Sequence, residues 1–201
     1  MNIYISPGNT KTGKIPSFSL PAGVSCVPEI PCYEDGCSGR RTECFRQAAL
    51  RTRTDNYQAL LEDMPGAFHR IGGYLQYTQP SFFRVGISGD FYLGDQSQYY
   101  LEYWFQAANH HPQTKFLAFT KFYDLDFSNC PNNFSVVWSA WPSYEIPDQV
   151  PDGVAGIAYV QDGTETRVPG GAFECPGNCE TCGACWNIRK MPARATVFKK
   201  N

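Results

Sequence analysis

The sequence predicts a single-domain α/β protein, built on a mostly parallel sheet or an incomplete (β/α) barrel with cysteine-rich N- and C-terminal loops. Three observations carry that expectation. The 201 residues include 42% hydrophobic and 18% charged side chains, enough to bury one core and too apolar for a disordered chain. Short β-rich runs recur along the chain, and two of them flank a helix-length stretch of the kind a parallel crossover needs. The nine cysteines are grouped: Cys26, Cys32, Cys37 and Cys44 early, Cys175, Cys179, Cys182 and Cys185 late, and Cys130 alone.

The elements follow in order. Residues 1–44 read as an irregular, cysteine-rich opening segment, and IPSFSLPAG (15–23) is extended and turning because its prolines and glycine oppose a helix. Asp55 caps a helix carrying Tyr57, Leu60, Leu61 and Met64 on one apolar face. Pro65 suits the first turn of a second helix with Phe68, Ile71 and Leu75 inward, although Gly72 and Gly73 weaken it. FFRVGIS (82–88) is a strand ending in a Gly89-Asp90 turn. Residues 97–108 form a helix with Tyr100, Trp104, Ala107 and Ala108 on one face. KFLAFTKF (115–122), FSVVWSAW (134–141) and GVAGIAYV (153–160) are further strands, and ATVFK (195–199) is a terminal one. Connections after residue 122 are too short and proline-rich for a helix each time, which excludes a complete eightfold barrel. Residues 1–201 are one domain.

Composition excludes several functions. No run of 18 apolar residues is present, so no membrane span is expected. The N-terminus lacks the basic-then-apolar profile of a signal peptide, which places the chain in a cytoplasm. A formal charge of −2 gives no bulk attraction for nucleic acid. The basic end, RKMPARATVFKK, could touch nucleic acid or a partner weakly, and by default it reads as solvated charge.

The late cysteines carry the chemistry. ECPGNCETCGACW (174–186) holds C-x3-C-x2-C-x2-C, with Gly177 and Gly183 to fold the backbone around a centre. Thiolates at that density repel one another and oxidise if left bare, and a cation resolves both problems. Zinc sites usually split their ligands into two separated knuckles, whereas a nearly contiguous run resembles those that wrap a [4Fe–4S] cluster. Iron–sulfur is therefore expected at Cys175, Cys179, Cys182 and Cys185, with zinc as the alternative. Cys26, Cys32, Cys37 and Cys44 match no common metal spacing. They either form a second centre, which would make two clusters, or in part complete or cover the late one. Cys130, before Pro131, reads as an ordinary thiol. A redox or other protein partner is implied, of unknown identity.

The other candidates lie at strand ends. Asp90 follows a buried strand and Lys121 ends the next, while Ser139 and Trp141 end the third. If these strands are parallel, their ends converge on one mouth, where Asp90 and Lys121 could bind a polar ligand. Asp90 serves equally well as a turn cap. His110-His111 before Pro112 reads as helix capping, and His69 as structural. No nucleophile elbow, phosphate loop or zinc-protease helix motif is present.

Several segments in order resemble the phage gene product 88 family: NTKTGKIPSFSLPAGVSC (9–26), ECF (43–45), RVGISGDFY (84–92), FLAFTKF (116–122), NFSVVWS (133–139) and the late cysteines. That family occurs in phages and mobile elements. The resemblance implies a cysteine-ligated iron–sulfur protein with an architecture like the radical SAM barrel; the early cysteines and Ser88-Gly89-Asp90-Phe91 would map onto family positions. Cys175, Cys179 and Cys182 also have the C-x3-C-x2-C spacing of radical SAM enzymes. Their position at the C-terminal end argues against S-adenosylmethionine as cofactor, as does Cys185, which is poised to close the fourth iron. Thr181 stands where that superfamily often has an aromatic, and Gly170-Gly171 precede the cysteines rather than follow them.

Overall fold

In the computed structural model, which describes residues 2–28, 30, 32, 43–142, 144–147, 149–161 and 166–199, eight strands form one open sheet. They are β1 (Ile5–Ser6), β2 (Ser17–Phe18), β3 (Phe82–Val85), β4 (Lys115–Thr120), β5 (Phe134–Ala140), β6 (Gly156–Gln161), β7 (Phe173–Glu174) and β8 (Ala195–Lys199). Their spatial order is β1-β2-β3-β4-β5-β6-β8-β7. Only β1 with β2 is antiparallel; every other neighbouring pair is parallel.

That order decides which face each connection covers. A parallel crossover is right-handed almost without exception, so strands laid down in one direction carry their connections on one face. From β2 to β6 the sheet grows one way. Helix α1 (Glu43–Thr78) joins β2 to β3, and α2 (Ser97–His110) joins β3 to β4. Both pack on the same face, against Phe83, Val85, Phe116, Ala118, Phe134, Val136 and Trp138. Where no helix fills the connection, Leu125, Phe127 and Val154 from loops cover that face instead. The direction then reverses, because β7 lies outside β8. A right-handed return from β7 to β8 must run over the opposite face, and residues 175–194 do so. Ile15, Leu117, Val137, Ala158, Trp186 and Ile188 form the core there.

Several details correct the sequence expectations. The first helix begins at Glu43, so Asp55 lies inside it rather than capping it. Leu61, expected inward, is 39% exposed, while Leu60 and Met64 are buried. Asp63 breaks the helix with non-helical angles (φ −153°, ψ 75°), and its Oδ1 accepts a hydrogen bond from Gly66 N at 2.9 Å. It thus caps the second half, where Pro65 sits in the first turn and its missing N–H costs nothing. Gly72 and Gly73 are accommodated within the helix, with open space beside each. The late cysteines, expected in a loop, lie largely on helical turns: α3 (Cys179–Cys182) and a 3-10 helix (Ala184–Lys190). Strands β1, β2 and β7, each of two residues, have no periodicity to announce them.

Candidate metal centre

The return segment is fixed to the sheet residue by residue. Trp186 donates its indole N–H to Phe83 O at 3.3 Å and meets the Phe82 ring edge-on at 5.3 Å. Ser135 donates to Trp186 O, and Lys115 Nζ to Asn187 Oδ1 at 2.7 Å. Arg189 donates to Gly153 O at 2.7 Å, and Arg194 Nε to Ala155 O at 2.9 Å. The stretch from Cys175 to Cys185 begins on β8, where Cys175 N donates to Val197 O at 2.9 Å. Gly177 and Gly183 make its turns with φ of +82° and +58°, a region that side-chained residues avoid. Gly183 ends α3 by donating its N–H to Cys179 O at 3.0 Å.

A second segment closes the site. Residues 9–13 form a tight turn in which Asn9 Oδ1 accepts from Lys11 N and Thr12 N, at 2.8 and 2.9 Å. Lys11 O then accepts from Cys179 N at 2.9 Å, tying this turn to α3.

Between these pieces and the sheet lies a cavity of about 390 Å³. Cys175, Cys179, Cys182 and Cys185 all line it, with Asn9, Lys11 and Thr12 from the turn and Arg84, Phe119, Ser139, Val160 and Phe198 from the strands. All four cysteines are half-buried thiols rather than disulfides. Burial pushes the Cys185 thiol up to about 11, against the pull of the Arg84 guanidinium. Cys179 is raised for the same reason, with Arg84 and Lys11 opposing. The thiols also feel one another's charge. Among the described residues neither carboxylate nor imidazole lines the cavity.

This donor set fits a thiolate-ligated metal. Four soft ligands line one cavity, and the positive charge of Arg84 and Lys11 works against the burial that disfavours the ionised form ligation requires. Among the described residues no group of three or more His, Cys, Asp or Glu side chains makes a ready site for a metal ion. The thiols are arranged around a cavity, not gathered on a point.

The remaining candidates lie elsewhere. Asp90 Oδ1 accepts from Phe91 N and Oδ2 from Lys121 N, both at 2.8 Å, so it clasps the ends of β3 and β4 together. Burial raises its pKa, against those hydrogen bonds and Lys121. The void beside it is only about 10 Å³, room for about one water. Lys121 faces a separate surface cavity with Tyr123, Asp124, Tyr144 and Glu145, its ammonium 5.6 Å from the Trp141 ring. The expected common mouth is thus divided: Ser139 and Trp141 line the cysteine cavity, whereas Asp90 and Lys121, both beyond the ends of their strands, line two other spaces.

Cys26 accepts from Gly23 N at 3.4 Å in the loop before α1. Cys32 lies close enough to Tyr123 and Tyr144 to affect both. Neither lines the late-cysteine cavity. Cys37 and the Cys44 side chain lie outside the described residues. Cys130 packs by Phe134 and Arg189 with its thiol raised to about 11 by burial; it too is away from the cavity. His111 is buried beneath the end of α2 and held toward its neutral form by that burial and by His110. His110 Nδ1 lies 2.8 Å from Gln106 O, and His69 is exposed.

The family model for gene product 88 matches residues 5–188, which takes in the turn at 9–13, Arg84 and every late cysteine. The chain belongs to the gene product 88 family. No curated protein and no solved structure matched it. Sequence reasoning missed Arg84 and Lys11 as members of the gene product 88 site. Arg84 had a signal: an arginine in FFRV, inside a strand of a parallel sheet that both layers cover, is out of place unless something answers its charge.

Proposed function

We propose that this gene product 88 protein, of phage or mobile-element origin, binds a [4Fe–4S] cluster through Cys175, Cys179, Cys182 and Cys185 and works as an electron carrier. The observation that carries the reading is one cavity lined by four thiols and, among the described residues, by no carboxylate or imidazole. Their spacing supports a cluster over zinc: zinc sites usually split their ligands into two separated knuckles, whereas these four cysteines are nearly contiguous in the chain. When bound, such a cluster takes up and returns an electron at a potential set by nearby charge, hydrogen bonds and exposure.

The chain's own residues do the rest. The positive φ of Gly177 and Gly183 turns the cysteines toward a common space. Trp186 and Arg189 hold the segment on the sheet, and Phe119, Phe198 and Trp186 exclude water from one side. Cys185 on the same wall supplies the fourth ligand, which supports closed ligation and leaves no position for S-adenosylmethionine. A purely structural cluster is the weaker reading, because the helix-covered face already has its own core. A reducing cytoplasm suits thiols that must stay reduced for ligation. Among the described residues no helix is long and apolar enough to cross a membrane.

The test is anaerobic purification with iron, acid-labile sulfide and zinc analysis and an absorption spectrum. A brown protein with about four irons and four sulfides per chain is expected, or about eight of each if the early cysteines hold a second cubane. Stoichiometric zinc without sulfide would overturn the reading and leave a zinc-stabilised binding module.

A further inference from the structure

Resting on the cluster reading, we propose that Arg84 and Lys11 set the reduction potential of the centre by neutralising the charge its four thiolates bring into the cavity. A cubane held by four thiolates is a net dianion when oxidised and a trianion when reduced, so fixed positive charge beside it favours the reduced state. Among the described residues Lys11 and Arg84 are the only charged side chains lining the cavity. They approach from different walls, Arg84 from β3 and Lys11 from the N-terminal turn.

Arg84 is built for this role. Its guanidinium carbon sits 4.2 Å from the centroid of the Phe119 ring, which fixes the plane of the group. One Nη donates to Gly86 O at 3.4 Å, while the buried Nε has no hydrogen-bond partner. A guanidinium carries five N–H donors, so most of this one's capacity is uncommitted. Arg84 is half-buried, and such a cation, with spare donors and no carboxylate in reach among the described residues, is costly unless an anion answers it. Cys179 and Cys185 are the groups whose charge it feels. As thiolates on the centre they would accept its hydrogen bonds. Lys11 is held by the turn whose carbonyl accepts from Cys179 N, with Nζ 5.0 Å from the Phe198 ring centroid. Its side chain is exposed, so solvent weakens its effect relative to that of Arg84.

The experiment is a spectroelectrochemical titration of the full chain and three variants, with iron and sulfide per chain measured on the same samples. Arg84→Met is expected to keep wild-type iron and sulfide while its midpoint moves negative by at least about 59 mV, a tenfold fall in the reduced-to-oxidised ratio for one electron. Arg84→Lys restores most of that shift, because the charge remains. Lys11→Glu moves the midpoint the same way by less, and being on an exposed side chain it tests the idea even if Arg84→Met fails to fold. Unchanged or more positive midpoints in Arg84→Met or Lys11→Glu, with iron and sulfide intact, would overturn the assignment. Wild-type protein lacking iron and sulfide would instead refute the cluster reading beneath it.

Discussion

Replacing Gly183 isolates backbone geometry from every other contribution to the cysteine site. Gly183 sits at φ +58°, between Cys182 and Cys185. A Cβ added there would come no closer than 3.7 Å to anything, the nearest atom being Cζ of Phe82. Alanine therefore introduces no clash. It carries only the left-handed penalty of about 1–2 kcal/mol. The loss of unfolded-state freedom offsets about 0.4–1 kcal/mol of that. At the middle of both ranges a net destabilisation of about 0.8 kcal/mol remains, or a melting temperature lower by about 2–3 °C for a chain of this size. Asparagine tolerates the left-handed region, so Gly183→Asn should fall between wild type and Gly183→Ala. The assay is thermal and urea unfolding of all three proteins, each with metal bound and after chelation. Gly183→Ala as stable as wild type would refute the reasoning, as would an asparagine variant as damaged as the alanine one. Either result would mean that the turn does not hold this conformation in solution.

Two further outcomes are expected. Cys179→Ala should lose the late metal and destabilise the C-terminal third, whereas Cys130→Ala, remote from the cavity, should keep full metal content; metal analysis with limited proteolysis checks both, and a fully loaded Cys179→Ala would remove that ligand from the set. Asp90→Asn should cost about 1–3 kcal/mol, because an amide has one oxygen where the carboxylate offers two, one for Phe91 N and one for Lys121 N. Metal content should not change, and a urea midpoint equal to wild type would show that the clasp between β3 and β4 is dispensable.

The elements legible in the sequence were those with enough length to show a period. β4, β5 and α2 were placed within a residue or two because KFLAFT and FSVVWSA are near-continuous apolar runs of strand length, buried on both faces, and Tyr100, Trp104 and Ala108 recur at helical spacing. The two-residue strands offer no period at all. Leu61 was misplaced because the adjacent Leu60 and Leu61 both fit an apolar stripe from Tyr57 to Met64, and only Leu60 turns inward. The break at Asp63 was half legible: Pro65 marked the start of the second helix, yet nothing marked how far the first extends toward Glu43. Of the site, the ligand types and the enabling glycines were readable from spacing alone. Arg84 and Lys11 were not, because they lie 73 residues apart from one another in the chain and meet the cysteines only once the sheet has formed.

What brings them together is the single reversal in strand order. Had β7 been laid between β6 and β8, the sheet would have continued in one direction and the return segment would have packed with α1 and α2, beside Trp138 and Phe134. The cysteines would then have met an apolar face already filled by helices, and Arg84, whose side chain projects to the other side of β3, would have been out of reach. Placing β7 outside β8 sends residues 175–194 across the face that carries Arg84, Phe119 and Ser139. The site therefore depends on topology more than on local sequence. A cysteine run of the same spacing grafted onto a sheet without that reversal would keep its four thiols and lose both cations.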